Sequence, residues 1–507
     1  MKLIGALDQG TTSTRFLLFD ERASIVASHQ LEHRQIYPRA GWVEHDPLEI
    51  WENTQRVMAA ALEKARVPAR QIQSLGITNQ RETTVVWNRR TGKPYANAVV
   101  WQDTRTGDTC RRWVDEAGVD RFREQTGLPV STYFSASKLA WLLENDPQLA
   151  RDAGRGEACF GTVDSWLTWW LTGGPKGGRH VTDVTNACRT QLFNLMELTW
   201  DRELLAFFGI ADSLLPEVHS SVDPESFGAT AARGPLERPV PITGILGDQQ
   251  AALFGQTCFA EGEAKNTYGT GCFLLANTGR KPAASREGLI STVAYRIAGE
   301  PAVYALEGSV AVAGALVQWL RDNLGVIGDS SEVEELASSV PDNGGLYCVP
   351  AFSGLFAPHW DSSARGLLAG LTHSTGRGHL ARAVLEATGF QTREIFDAVQ
   401  ADAGLAIPHL KVDGGMVVND LLMQFQADVL GVKVMRSAVS ETTALGACYA
   451  SGLGAGHWSG TDELRRSWRQ DRQWEPRMPR EQSEAMMRRW RKAVERSRGW
   501  LEEEENG

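Results

Sequence analysis

The sequence predicts an α/β protein of two lobes with a cleft between them. First, Leu7-Asp8-Gln9-Gly10-Thr11-Thr12-Ser13-Thr14-Arg15 joins the apolar run Lys2 to Leu7 to a second strand from Ser13 to Phe19, a strand–polar turn–strand unit. Second, Lys265 to Cys272 (KNTYGTGC) runs into Phe273-Leu274-Leu275-Ala276-Asn277 and repeats that plan roughly half a chain later. Third, glycine turns and β-branched strands alternate with amphipathic helices throughout, the pattern of layered α/β proteins. A duplicated domain, each copy opening with such a turn, sets the two turns face to face. Two unrelated glycine turns are the other reading, because the copies share little sequence otherwise.

The first turn is crowded with hydroxyls. Gly10 permits close backbone approach, and Thr11, Thr12 and Ser13 offer O–H and N–H donors to phosphate oxygens. Asp8, at the strand end, is a carboxylate able to hold Mg²⁺ directly or through water. An ordinary polar hairpin has the same composition. A helix follows: Asp46 is an N-cap, Pro47 suits the first helical position, and Glu49 stands three after the cap. Leu48, Trp51, Met58, Leu62 and Ala65 are expected on its buried face. After the strand Ile72 to Ile77 comes the polar cluster Thr78-Asn79-Gln80-Arg81-Glu82-Thr83-Thr84. Its adjacent Arg81 and Glu82 can divide a polyol between them, guanidinium donating and carboxylate accepting; a surface ion pair is the alternative. Trp101 can wall the carbon chain or simply pack in the core.

Residues 172–178 read as a loop, and the glycine-bearing stretch Gly244 to Asp248, leading into Gln249 to Phe254, marks the lobe boundary, with lobes at 1–252 and 253–507. Lys411 to Asn419 reads as strand, Gly-Gly turn and helix start, a place where backbone can lie against a nucleotide and Asn419 can bond to it. A helix is expected from Glu481 to Trp500 and a frayed acidic tail over Glu502 to Glu505.

Composition narrows the function. The 507 residues are 42% apolar, enough for substantial cores, and the net charge of -10 without a long basic block argues against nucleic acid as a partner. No apolar run is long enough to cross a bilayer, and no signal peptide is evident, so stable membrane insertion is not expected. The seven cysteines are scattered without a CxxC pair, which fits a reducing cytoplasm and neither a zinc site nor a disulfide framework. There is no G-x-x-x-x-G-K-[ST] or G-x-G-x-x-G match, so ATP would have to be held by opposed hairpins and a helix N-terminus.

Several stretches together resemble the glycerol kinases, a branch of the carbohydrate-kinase family that also includes pentulose kinases. They are LDQGTTSTR (7–15), AGWVEHDP (40–47), GITNQRETTVVW (76–87), YFSASKLAW (133–141), HVTDVTNACRTQLFN (180–194), GDQQAALFGQ (247–256), NTYGTGCF (266–273), AGALVQWLRD (313–322) and VDGGMVVND (412–420). The resemblance covers the chain up to about Gly460, and GITNQRET with GDQQAALFGQ is specific for the glycerol-using branch. It implies two actin-like (ribonuclease H-like) lobes, each a mixed sheet flanked by helices, with the site in the cleft. It places nucleotide and phosphate contacts on Thr11, Thr12, Ser13, Arg15, Thr270, Gly314, Gln318, Gly415 and Asn419. Glycerol contacts fall on Arg81, Glu82, Tyr133, Asp248 and Gln249, with Trp101 and Phe273 as apolar walls. Asp248 matches the catalytic base and Asp8 the carboxylate near the metal.

The implied activity is ATP- and Mg²⁺-dependent phosphorylation of glycerol, in a cytoplasmic homodimer or homotetramer. The alternatives are a pentulose or tetritol kinase, or a non-catalytic actin-like ATP-binding module. Thr104, Cys188 and His359 depart from the family pattern without touching a proposed contact. The segment Ala229 to Pro239 lacks the glycine-rich Thr-Arg loop through which some bacterial members respond to a sugar bisphosphate, so that regulation is not expected.

Overall fold

A computed structural model describes residues 2–501; the expected acidic tail lies outside them. Two mixed sheets form the frame. The first runs in the order Ile242–Gly247, Ile72–Asn79, Leu3–Gln9, Ser13–Phe19, Ile25–Glu32. Leu3–Gln9 pairs antiparallel with Ser13–Phe19 and parallel with Ile72–Asn79. The second runs Ile290–Tyr295, Val303–Val310, Cys272–Gly279, Ala264–Tyr268, His409–Asp413, Lys433–Ser437, Gln470–Trp474.

Within the second sheet, Ala264–Tyr268 is antiparallel to Cys272–Gly279 and parallel to His409–Asp413, as Leu3–Gln9 is to its own neighbours. Five strands therefore repeat in the same order and directions in both sheets, and the second adds one strand at each edge. The duplication expected from the two turns is present in topology where it is faint in sequence.

The helix that closes each half crosses to the other. Asp248–Gly255, directly after the last strand of the first sheet, touches strands of the second sheet. Thr442–Gly454 lies on Leu3–Gln9, Ile72–Asn79 and Ile242–Gly247 of the first sheet and packs along Asp248–Gly255. One apolar cluster accordingly spans both halves, joining Ala6, Phe19 and Leu246 to Leu275, Ala294 and Ala305 through Leu445 and Tyr449. Close approach of these helices depends on small residues: a Cβ on Gly446 would run into the backbone of Ala251.

Local expectations fare unevenly. Pro47–Ala65 is a helix, and the Asp46 side chain accepts from the Leu48 N–H at 2.8 Å. Glu49 does not close a capping box; it accepts from the Arg34 N–H at 3.1 Å. The buried face is Ile50, Asn53, Thr54, Val57, Met58 and Ala61, while Leu48 is 46% exposed. Asn53 and Thr54 tolerate burial because they donate to the carbonyls of Glu32 and Ile50. The glycine-bearing stretch at the lobe boundary is the strand Ile242–Gly247 running into the helix Asp248–Gly255, and the 172–178 loop contains a short 3₁₀ turn, Gly174–Lys176. The expected C-terminal helix is Arg480–Ser497, ending three residues short of Trp500, and it buries Met487, Trp490, Ala493 and Val494.

Candidate active site

The functional side chains sit where the parallel strands of the two sheets end and the halves meet. Arg81 and Glu82 follow the strand Ile72–Asn79, and Glu82 takes a left-handed backbone with φ of 62°. That turn aims both side chains inward; Arg81 and Glu82 are 2% and 1% exposed. Asp248 begins the helix after Ile242–Gly247, and its Oδ1 stands 3.1 Å from Arg81 Nε. The pair is only partly enclosed, because Asp248 keeps 28% of its side-chain surface exposed.

Two residues that no motif singled out complete the cluster. Glu307, in the strand Val303–Val310 of the second sheet, receives Arg81 Nη1 at 2.5 Å and Nη2 at 2.9 Å. Arg189 donates from Nε to Glu82 Oε1 at 2.6 Å and from Nη2 to Glu307 Oε1 at 3.2 Å. Burial alone would raise the Glu307 carboxyl, but Arg189 and Arg81 hold it down at about 2. Glu82 goes the other way: burial pushes it up, because it receives one short bond from Arg189 while Arg81 Nε is 3.9 Å away. The signal for Glu307 was a lone carboxylate in an apolar strand. Arg189 lay inside a quoted stretch without a distinguishing neighbour.

An aromatic wall lies over this cluster. Tyr133 meets Trp101 edge to face with centroids 5.5 Å apart, and the Arg189 guanidinium lies 5.8 Å from the Tyr133 ring. Lys138 fixes the backbone that presents Tyr133, donating to the carbonyls of Thr132, Tyr133 and Phe134. Trp101 Nε1 donates to Thr11 Oγ1 at 3.0 Å, tying the wall to the first hairpin turn. On the opposite side Lys265 Nζ donates to Gln249 Oε1 at 2.6 Å and to the Phe273 carbonyl at 3.2 Å. That bond occupies the Gln249 oxygen and leaves its amide N–H groups to donate.

In the first turn the Gly10 N–H bonds to the Ser13 carbonyl at 2.9 Å, closing the loop that carries Thr11, Thr12 and Ser13. Asp8 pairs in register with Arg15, whose Nη1 reaches Glu441 Oε2 at 2.6 Å at the edge of the second half. Burial pushes the Asp8 carboxyl up to about 7, and nearby Glu441 and Asp248 add to that against the pull of Arg15. No hydrogen bond relieves it among the described residues. A desolvated carboxylate beside other acids suits a cation shared with phosphates. Among the described residues no three His, Cys, Asp or Glu side chains gather into a metal cage. Mg²⁺ requires none, since it keeps waters and substrate oxygens in its shell.

The second turn is built against two helix starts. The Gly314 N–H bonds to the Gly269 carbonyl at 3.0 Å and the Ala315 N–H to the Thr270 carbonyl at 3.1 Å, seating the turn on the helix Gly314–Asp322. Gly414, with φ of 95°, lies so close to the Tyr268 backbone that a Cβ would collide with it. Thr270, Gln318 and Gly415 are exposed around this junction. Asn419 caps the helix Asp420–Leu430, accepting from the Leu422 N–H at 2.8 Å. The structure thus gathers Arg81, Glu82, Trp101, Tyr133 and Asp248 in one place, with Gln249 next to Asp248 and tied through Lys265 to the Phe273 carbonyl, while the Phe273 side chain packs against the apolar cluster between the halves. Thr11, Thr12, Ser13, Asp8 and Arg15 flank them on one hairpin, and Thr270, Gly314, Gln318, Gly415 and Asn419 stand around the other.

A hydroxyl-rich hairpin in each half and a cluster of charged side chains where the halves meet fit a phosphotransferase of the carbohydrate-kinase class. Residues 3–255 match the N-terminal domain, and residues 264–455 the C-terminal domain, of the FGGY family of carbohydrate kinases. The chain belongs to this family. It is 59% identical over 500 residues to a glycerol kinase of Methylorubrum extorquens, covering 99% of both chains. It is 56% identical over 501 residues to a glycerol kinase of Brucella anthropi, covering 99% of this chain and 100% of the relative. The crystal structure of Plasmodium falciparum glycerol kinase with ADP superimposes with a TM-score of 0.92 at 39% identity, covering 98% of each chain.

Proposed function

We propose that this enzyme transfers the γ-phosphoryl group of ATP to a terminal hydroxyl of glycerol, giving sn-glycerol 3-phosphate and ADP, the entry step of glycerol catabolism. The observation that carries the reading is the convergence of Arg81, Glu82 and Asp248 under the Trp101–Tyr133 wall, beside the hydroxyl-rich first turn. This pocket offers charged partners for hydroxyls and a short apolar surface for carbon, which is the chemistry of a small polyol.

The proposed chemistry balances simply. A glycerol hydroxyl attacks phosphorus, its proton passes to the Asp248 carboxylate, the new O–P bond forms, and the bond to the β-phosphate oxygen breaks with ADP leaving. Arg81 and Gln249 donate to glycerol oxygens and Glu82 accepts from a hydroxyl, which orients the attacking oxygen. Tyr133 adds a phenol to that set, and Trp101 and Phe273 enclose the carbons and limit competing water. The N–H and O–H groups of Thr11, Thr12, Ser13 and Thr270 receive phosphate charge, with Arg15 at the edge. Gly314, Gln318, Gly415 and Asn419 receive the rest of the nucleotide. Mg²⁺, held through Asp8 and the phosphates, supplies charge neutralisation when bound.

The same reading places the boundary of the glycerol-binding and nucleotide-binding lobes at residues 252 and 253, and the enzyme in the cytoplasm as a homodimer or homotetramer. A coupled ADP-release assay with glycerol, xylulose, ribulose, erythritol or no acceptor tests the activity. Glycerol is expected to give by far the highest kcat/KM; turnover indifferent to the acceptor would overturn the proposal.

A further inference from the structure

Within its own half Arg81 meets Asp248 through Nε at 3.1 Å and donates from Nη1 to Gln250 Oε1 at 3.2 Å, but its shortest contacts lie across the cleft. Both terminal nitrogens are taken by Glu307, 226 positions away and in the other sheet. This bidentate fork leaves Nε facing Asp248 and fixes the plane of the guanidinium. Glu307 Oε1 also receives Arg189, which in turn holds Glu82. Glu307 therefore stands behind both charged residues of the proposed acceptor pocket. It sits within a strand paired on both sides, with Leu275 and Ile290 as its register partners, so its own backbone is anchored. Arg81, Arg189 and Glu307 are 2%, 0% and 0% exposed, so water cannot take the place of the carboxylate.

We propose that Glu307 is a positioning residue for the polyol: from the opposite half it orients Arg81 directly and Glu82 through Arg189, and so sets acceptor affinity. Resting on the glycerol reading above, it adds that the charged side of the acceptor pocket is anchored from the second half. Two buried arginines without Glu307 would repel and turn away from the acceptor. Arg81 and Arg189 hold the Glu307 carboxyl far below neutrality, so the anchor stays charged across the working pH range.

The test is steady-state kinetics on the full chain, varying glycerol at saturating ATP and ATP at saturating glycerol. Glu307→Gln is expected to raise the glycerol KM by about tenfold or more, the scale of a lost charge-assisted bond, and to leave the ATP KM within about twofold. Glu307→Asp keeps the charge with a shorter reach and is expected to fall between. KM does not depend on the fraction of active enzyme, so partial misfolding would lower apparent kcat without imitating this result. Should the Gln variant not fold, Glu307→Asp carries the same readout; should neither fold, Arg189→Lys does. An unchanged glycerol KM in the folded variant, or an equal rise for both substrates, overturns the inference. Wild-type enzyme assayed in parallel separates the two proposals: absent glycerol-dependent turnover would strike the kinase reading itself.

Discussion

Replacing Asp248 by Asn separates binding from chemistry at this site. Asn keeps an oxygen where Asp248 Oδ1 now faces Arg81 Nε at 3.1 Å, so that contact survives as a neutral–cation hydrogen bond. With 28% of the Asp248 side chain exposed, solvent screens the ion pair, and losing its charge costs about 1 kcal/mol or less. The glycerol KM should then change by about fivefold at most, given that 1.4 kcal/mol is a factor of ten. The proton has no comparable acceptor. General-base catalysis contributes ~10²–10⁴-fold, or about 3–5 kcal/mol of barrier. The expected outcome is a kcat reduced at least about a hundredfold with glycerol and ATP KM values little altered. Coupled ADP release under saturating substrates measures kcat, and calorimetric titration with glycerol checks binding directly. A kcat within about threefold of wild type would refute Asp248 as the base.

Arg81→Ala is expected to raise the glycerol KM strongly and to lower stability by ~3 kcal/mol, because it leaves Glu307 buried with only Arg189; an unchanged KM places the pocket elsewhere. Gly446→Ala removes about 1 kcal/mol of helix penalty, yet its Cβ meets the Ala251 backbone, so a net loss of about 1–2 kcal/mol is expected in urea unfolding; a raised midpoint would contradict the tight packing. Burial lowers the Lys265 ammonium from 10.5 to about 8, so between those values the unfolded chain holds more protons than the native one and native stability rises with pH. Relative to Lys265→Met, the wild type should gain roughly 3 kcal/mol from pH 8 to 10.5; parallel pH profiles for the two proteins would sink this.

Much of the fold was legible because its signals are local. Asp46 and Pro47 fix a helix start from adjacent residues, and the two hydroxyl- and glycine-rich turns announce matching strand pairs. The helix face was read only in part: Met58 is buried and Trp51, Leu62 and Ala65 pack against the core, but Leu48 is exposed, and the buried Asn53 and Thr54, satisfied by backbone carbonyls, break the apolar period. Gly244 lies in a strand, where its missing side chain admits the Thr442–Gly454 helix, a role only the tertiary packing reveals. At the site, the named residues were recognisable from contiguous stretches. Glu307 and Arg189 were not, since their meaning comes from partners more than a hundred positions away. Lys265, read as part of a turn motif, acquires its role only when the chain brings Gln249 to its ammonium group.

The exchange of closing helices has a practical corollary for anyone dissecting this enzyme. Cutting between the first and second sheets would strip the first of the Thr442–Gly454 helix that covers three of its strands, and deprive the second of Asp248–Gly255. Each fragment expressed singly would bare a greasy surface, and co-expression with recovered turnover as the readout would show whether the two halves reunite.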